Sequence, residues 1–207
     1  MSITINGNGT ITGISSGGLP AGSVTSATLA DGAVTASKKG TGSVLQVVST
    51  NVTAASSVSV SNASLSNTPA TVTITSAAAN SKFLISGAIF GEGSISDHDF
   101  GFVLRRVIGG SGSSINVGNA DGSRSTVSFM HSVGFYSNDQ DSTPSTSVLS
   151  PYLDSPSQAA GTAITYKIDI MGVGNSGTYY FGRTTVNTDN SGNERGPNYI
   201  TVQEIAA

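Results

Sequence analysis

Residues Thr162–Gly172 read TAITYKIDIMG. In an extended chain Ile164, Tyr166, Ile168 and Ile170 fall on one side, and Thr165, Lys167 and Asp169 on the other. Alternation of period two, with one apolar and one wet side, is the pattern of a strand in an antiparallel sheet. Gly172–Gly177 (GVGNSG) then turns the chain, and Thr178–Val186 reads as another strand. The two are expected to form a hairpin.

The same plan, a short apolar or alternating run followed by a polar turn, recurs outward from this stretch. Val44–Val48, Val58–Ser61 and Thr71–Thr75 read as strands, with a turn expected at Asn67-Thr-Pro69. Lys82–Phe90 is apolar on both sides, as a central strand covered on each face would be. Phe100–Ile108, Thr126–Tyr136, Ser147–Leu153 and Asn198–Ile205 complete a set of about ten strands. No segment carries a convincing helical period. The expected fold class is all-β: an antiparallel β-sandwich, jelly-roll-like, as a head behind a short extended N-terminal segment.

Composition narrows the function classes. Among 207 residues only 10% are charged and the net charge is −3, so there is no basic patch to neutralise a phosphate backbone. Nucleic acid is excluded as an expected partner. Cys is absent, which removes disulfide staples and thiolate metal sites. Met1–Ile5 lacks the basic and apolar regions of a signal peptide, and no run is long enough to cross a bilayer, so no membrane insertion is expected. The polar residues are mainly Ser, Thr, Asn and Gly, which suit turns and wet strand faces rather than helices.

The N-terminal part has its own pattern. Ser2–Ile5 and Thr10–Thr12 are short β-like pieces around Asn6-Gly-Asn-Gly9, too small to stand alone. Further on, Leu19-Pro-Ala-Gly-Ser-Val-Thr25 matches Leu29-Ala-Asp-Gly-Ala-Val-Thr35 at a spacing of ten. Leu19, Val24, Leu29 and Val34 therefore recur every five residues, neither a helical nor a strand period. One chain cannot bury a core this sparse, whereas several copies around a common axis can. A flexible Gly/Ser/Ala linker has the same composition. Lys38-Lys-Gly-Thr-Gly42 reads as the joint, which gives residues 1–42 as an attachment and trimerising shaft segment and 43–207 as the head.

Four stretches carry a family likeness: Met1–Ile14 with Gly18-Leu-Pro20; Leu29–Thr35; Ser150–Pro156 running into Ala163–Lys167; and Tyr199–Ala207. In these, and in their order, the chain resembles bacteriophage tail-fibre and related virion appendage proteins, especially those of cyanophages and other marine phages. The resemblance implies a homotrimer located on the tail or another external part of the virion and made in the host cytoplasm. It implies that residues 1–40 dock on another virion protein and that the head attaches to a glycan or protein of the bacterial host surface. It implies no catalytic residues. A capsid decoration, cement or head-fibre protein is the alternative, and a polysaccharide-degrading tailspike enzyme a weaker one.

Candidate chemistry is thin, and the expectation is no catalytic, cofactor or metal residues. Gly172–Gly177 satisfies G-x-G-x-x-G after a strand, but a dinucleotide site needs a helix to begin there and Thr178–Val186 is strand-like. Asp97-His98-Asp99 is the densest set of metal-ligand types, yet neighbours in an extended segment diverge, and a polar turn is the plainer reading. His131 sits on an apolar strand face, expected as a satisfied core or interface histidine. Asn138–Asp141 and Asp189–Glu194 are oxygen-rich loops without calcium-loop spacing. Asn8, Asn51 and Asn62 begin N-x-[ST] triplets that this composition produces by chance. For a glycan, Tyr136, Tyr152, Tyr179 and Tyr180 are the candidate contacts, with burial in the core the competing expectation.

Overall fold

The computed structural model describes residues 4–5, 11–12, 24–27, 29–30, 32–95, 99–132 and 143–207. The chain divides into two units, residues 1–38 and 39–207. In the first, β1 (Thr4–Ile5) and β2 (Ile11–Thr12) pair antiparallel with Ile5 opposite Ile11. A single 3-10 turn spans Ala36–Lys38.

The second unit holds β3 (Val44–Val52), β4 (Ser56–Val60), β5 (Ser66–Thr75), β6 (Lys82–Gly93), β7 (Phe100–Ile108) and β8 (Ser111–Ser114). It continues with β9 (Phe129–Met130), β10 (Ser145–Asp154), β11 (Ala163–Gly172), β12 (Gly177–Phe181) and β13 (Asn198–Ile205). β13 and β12 pair with successive stretches of one edge of β6, while β10 takes the other edge. They are one strand interrupted by residues 182–197. β3 and β4 form a second interrupted strand beside them. The first sheet is therefore β10, β6, β12/β13, β3/β4. The second is β5, β11, β7, then β8 and β9. Counted as eight strand positions in chain order, the sheets run 1-8-3-6 and 2-7-4-5, all antiparallel. This is jelly-roll connectivity: successive strands alternate between two sheets except at the 4–5 pair, which stays in one, and the apolar side of each sheet closes over the other. The all-β sandwich read from the sequence is the fold observed.

Three local expectations are corrected. β11 and β12 do not form a hairpin, since β11 lies in the second sheet and β12 in the first. Gly172–Gly177 is an arch over the end of the sandwich, pinned where Asn62 Oδ1 accepts from Gly174 N and Ser176 Oγ accepts from Asn62 N, both at 2.9 Å. Crossing between sheets lets the apolar sides of both strands face one another instead of lying side by side. Asn67-Thr-Pro69 is not a turn but the start of β5, an edge strand paired only with β11. Proline is tolerated at an edge. A bulge opposite Ile168 takes up the irregularity, with Thr68 Oγ1 donating to the Ile168 carbonyl at 2.5 Å. The turn falls earlier, where Ala63 has φ 53°. Finally, of the strand expected over Thr126–Tyr136, only Phe129–Met130 is a strand among the described residues, and residues 133–136 lie outside them.

The core is aromatic at one end and carries polar clasps throughout. Tyr179 contacts Phe100, Phe102, Phe181 and His131 with ring centroids 4.9–5.6 Å apart. Space for these rings comes from glycines on the inward side of β6: a Cβ on Gly93 would stand 2.0 Å from the Phe100 ring. Gly93→Ala is expected to lower unfolding free energy by about 2–4 kcal/mol, through overpacking against a ring that has no room to move. Urea denaturation of the variant measures it, and an unchanged midpoint would show that the ring relocates freely.

Candidate interaction surface

The outward faces of the two sheets differ in chemistry. On the second sheet the wet side carries Thr71, Thr73 and Thr75 of β5, with Thr165 Oγ1 and Thr73 Oγ1 2.7 Å apart. Lys167 reaches Asn67 Oδ1 at 2.7 Å and Asp169 at 3.0 Å, and Arg105 stands 3.7 Å from the same carboxylate. Hydroxyls and paired charges make this an ordinary hydrated face.

The first sheet shows the reverse. Register sets its outward rows. Leu153, Leu84, Gln203 and Val47 form one, and Val148, Ala88, Tyr199 and Asn51 another. Between them Ser86, Thr201 and Ser49 form a hydroxyl row, with Ser49 and Thr201 2.8 Å apart. Val44 and Ile205 lie at the lower edge beside Lys82, the one charged side chain among these outward positions. Val47 and Val148 are each 57% exposed, Leu153 49%, Val44 46% and Tyr199 39%. The upper end of the same face is covered. A Cβ on Gly196 would meet the Phe90 ring at 2.5 Å, and Glu92 is fully buried, accepting from the backbone N–H groups of Thr143 and Thr185. Residues 182–197 thus roof one half of the sheet; over the other half the flanking Val44, Val47, Val148, Leu153 and Tyr199 are exposed, while Leu84 and Ser86 between them are half-buried and Ala88 is buried. Tyr199 was not among the sequence candidates. The signal for it was the alternation Tyr199, Thr201, Gln203 on the wet side of the last strand.

The first unit presents a second exposed apolar set among its described residues. Val24, Leu29 and Val34, the described members of the five-residue recurrence, are 57%, 45% and 52% exposed.

Three of the buried titratable groups, His131, Asp154 and Glu204, tie separate strands and turns together. His131 is 3% exposed, inside the sandwich. Tyr179 Oη and Ser147 Oγ lie 2.9 and 3.1 Å from its Nδ1, and Ser145 Oγ lies 3.2 Å from its Nε2. Burial pushes its pKa from 6.5 down to about 4, so at neutral pH the ring is uncharged, one nitrogen accepting and the other donating. Asp154 of the first sheet accepts from Arg106 Nη1 at 2.7 and 2.9 Å and from Tyr166 Oη at 2.8 Å, both residues on the second sheet. Burial, then the Asp154 charge and hydrogen bond, push the Tyr166 phenol far above its usual range. Glu204 holds the turn between β5 and β6. Burial opposes its ionised form, but hydrogen bonds from Ser81, Gln46 and the Ala77 and Ala78 amides outweigh that and keep it below the ordinary value.

The other candidates resolve singly. Asp99 is buried and accepts from Asn175 Nδ2 at 2.7 Å, while Asp97 and His98 lie outside the described residues. Among the described residues no three metal-ligating side chains gather. The Asp189–Glu194 loop is closed on itself, Asn190 Oδ1 accepting from Gly192 N and Asn193 Nδ2 donating to Thr188. Of the tyrosines proposed for a glycan, Tyr179 is wholly buried and unavailable, Tyr152 packs half-buried against the core, and Tyr180 lies half-buried with Arg183 4.2 Å over its ring. Tyr136, the Asn138–Asp141 loop and Asn8 lie outside the described residues. Asn51 is exposed on the first sheet, and Asn62 is engaged in the arch.

No family model matches the chain, and no curated protein matches it. Among solved structures, a chain of infectious bursal disease virus, Gt strain, is similar at 16% identity and a TM-score of 0.30, over 80% of this chain and 39% of that one. The chain thus spans less than half the length of that neighbour, and a superposition this loose carries no argument about function.

The buried groups make stability pH-dependent. The unfolded His131 takes up a proton below 6.5 and the folded one only below about 4. Stability therefore falls as pH drops through that window, by about 3 kcal/mol, and levels off beneath it. Glu204, whose folded value is depressed, adds a further loss below its ordinary value of 4.5. Denaturation midpoints at fixed protein concentration are expected to flatten between pH 6.5 and 4.5 in His131→Gln. An unchanged slope would assign the pH dependence elsewhere.

Proposed function

We propose that this chain is a structural protein of a virus particle: a short trimeric fibre or external appendage with a non-enzymatic β-sandwich head that attaches to the bacterial host surface. The observation that carries the reading is the half-exposure of Val24, Leu29 and Val34 in a single chain. Apolar residues that repeat every five positions and stand about half exposed are what sister chains around a common axis cover. The jelly-roll head, a surface poor in charge and the resemblance of both chain ends to phage appendage proteins support it. Adhesion then rests on many weak contacts multiplied by trimer and particle valency.

The partly exposed outward face of the first sheet also favours a second reading, in which the head braces a capsid as a decoration protein. Antibody against residues 43–207, viewed on intact particles, separates the two: label on the tail supports the appendage, and label spread over the shell supports decoration.

The oligomer itself is tested on the purified full chain. Light scattering is expected to give about 62 kDa, three times the 20.7 kDa chain. Leu29→Asp with Val34→Asp is expected to weaken association at least tenfold, since each copy places a charge at the shared axis. A parent chain that is monomeric at micromolar concentration would overturn the trimeric reading.

A further inference from the structure

One corner of the second sheet's outward face departs from the hydrated remainder. Asp169 lies on that face, since Ile168 and Ile170 beside it belong to the core, yet it is only 2% exposed. Val103, opposite it on β7, is covered to the same degree. On the other side, on β5, its partner in the register is the exposed Asn67. Lys167 is paired with Thr71, so a bulge falls between Lys167 and Asp169. The Lys167 side chain extends along the strand past this bulge to Asn67. Its Nζ donates to Asn67 Oδ1 at 2.7 Å and lies 3.0 Å from Asp169 Oδ2.

Ion pairing leaves two features of this group unaccounted for. A single carboxylate faces two cations, Lys167 and, 3.7 Å away, Arg105. Asp169 Oδ1 and Arg105 Nε are moreover buried without a hydrogen-bond partner among the described residues. A buried carboxylate oxygen without a donor costs free energy. Beside an amine it is also a free proton acceptor. An amine hydrogen-bonded as Lys167 is stands about 3.5 Å from the amide carbon behind the oxygen, at ordinary C=O length. Reacting atoms held about 3–3.5 Å apart are in near-attack range. The terminal torsion of an asparagine is broad, so the exposed Asn67 amide can turn its carbon toward the amine at little cost.

We propose that this is a site of self-modification: Lys167 and Asn67 join through a side-chain amide, an intramolecular isopeptide bond, with Asp169 carrying the protons. In this structure the two side chains are hydrogen-bonded and not joined. Asp169 takes one proton from the Lys167 ammonium, and the freed electron pair on Nζ attacks Asn67 Cγ. The Nζ–Cγ bond forms and the Cγ–Nδ2 bond breaks. Nδ2 leaves as ammonia and takes up the protons that Asp169 relays from Nζ. The sum is an ammonium and a carboxamide giving a secondary amide and an ammonium ion, with no oxidant, reductant or cofactor. The product suits the site. Lys167 loses its charge, which leaves one carboxylate for one guanidinium where both are largely covered. The edge strand β5 is then tied to β11 across the bulge that breaks their ladder. A chain without Cys thereby acquires the kind of staple that a disulfide supplies elsewhere.

The bond needs only the folded chain, whatever particle carries it, so the purified full chain is the material for the test. Its intact mass, measured after denaturation, is expected about 17 Da below that of the sequence, the loss of one ammonia. Trypsin is expected to release residues 40–82 joined to residues 125–183, because an acylated Lys167 is no longer cut. Lys167→Arg keeps a cation beside Asp169 and is expected to restore the full mass. Asp169→Asn is expected to slow linkage about a hundredfold or more, read as the linked fraction against time in a variant that keeps the parent's circular dichroism. A full sequence mass for the folded parent, left for days at room temperature, would overturn the proposal. A loss of about 17 Da that persists in Lys167→Arg would mark a succinimide at an asparagine and overturn it as well. Linkage in Asp169→Asn as fast as in the parent would overturn the role given to that carboxylate.

Discussion

The sandwich depends on what happens around Tyr179. Its ring is wholly buried among Phe100, Phe102 and Phe181, and its hydroxyl reaches His131 at 2.9 Å. Phe100 and Phe102 belong to one sheet, Tyr179 and Phe181 to the other, and His131 follows the short strand that completes the second sheet. A buried phenol left without a partner costs several kcal/mol, so its hydroxyl fixes where His131, Ser147 and Ser145 must lie. With no Cys in the chain and few ion pairs among the described residues, such directional contacts give the two sheets their register. Asp154 with Arg106 and Tyr166 does the same at the other end.

Much of this was legible in the sequence, for a definite reason. Period-two alternation in 162–172 and 198–205 and the doubly apolar run at 82–90 report burial on one or two faces, and burial is what the fold supplies. Partner choice was not legible in the same way. Nothing local distinguishes a hairpin turn from an arch, so alternation alone puts β11 and β12 side by side, whereas they lie in opposite sheets. The residues that decide it, Asn62 and Ser176, are far apart in sequence and ordinary in composition. Pro69 misled for a similar reason: whether proline breaks a strand depends on whether the strand is at an edge, which is a property of the sheet. Of the candidate surface, Tyr199 was visible only as one residue in an alternating strand, because exposure of a whole sheet face emerges from the register of four separated strands.

The two outward faces also show how a chain poor in charge manages its surface. One face is wetted by threonines, with Asp169 buried beneath the partly exposed Lys167 and Arg105 that pair with it. The other is half roofed by its own 182–197 excursion and exposed at its flanks over the other half. The excursion interrupts a strand that would otherwise run the length of the sheet, so the division between covered and open is written into the backbone, not only into side-chain choice.

The first and last residues of the sandwich meet at its edge. Gly42 N donates to the Ala206 carbonyl and Ala206 N to that of Ser43, both at 2.9 Å. Residues 42–43 and 206 are thereby tied at one end of the sandwich, while the turn at 61–65 and the 172–177 arch lie at the other. The two ends are coupled only through the core. The far-end segments are tied to one another as well, Ala63 N donating to the Gly172 carbonyl and Gly172 N to that of Ser61, so a change of length in one of them has to be matched by the other.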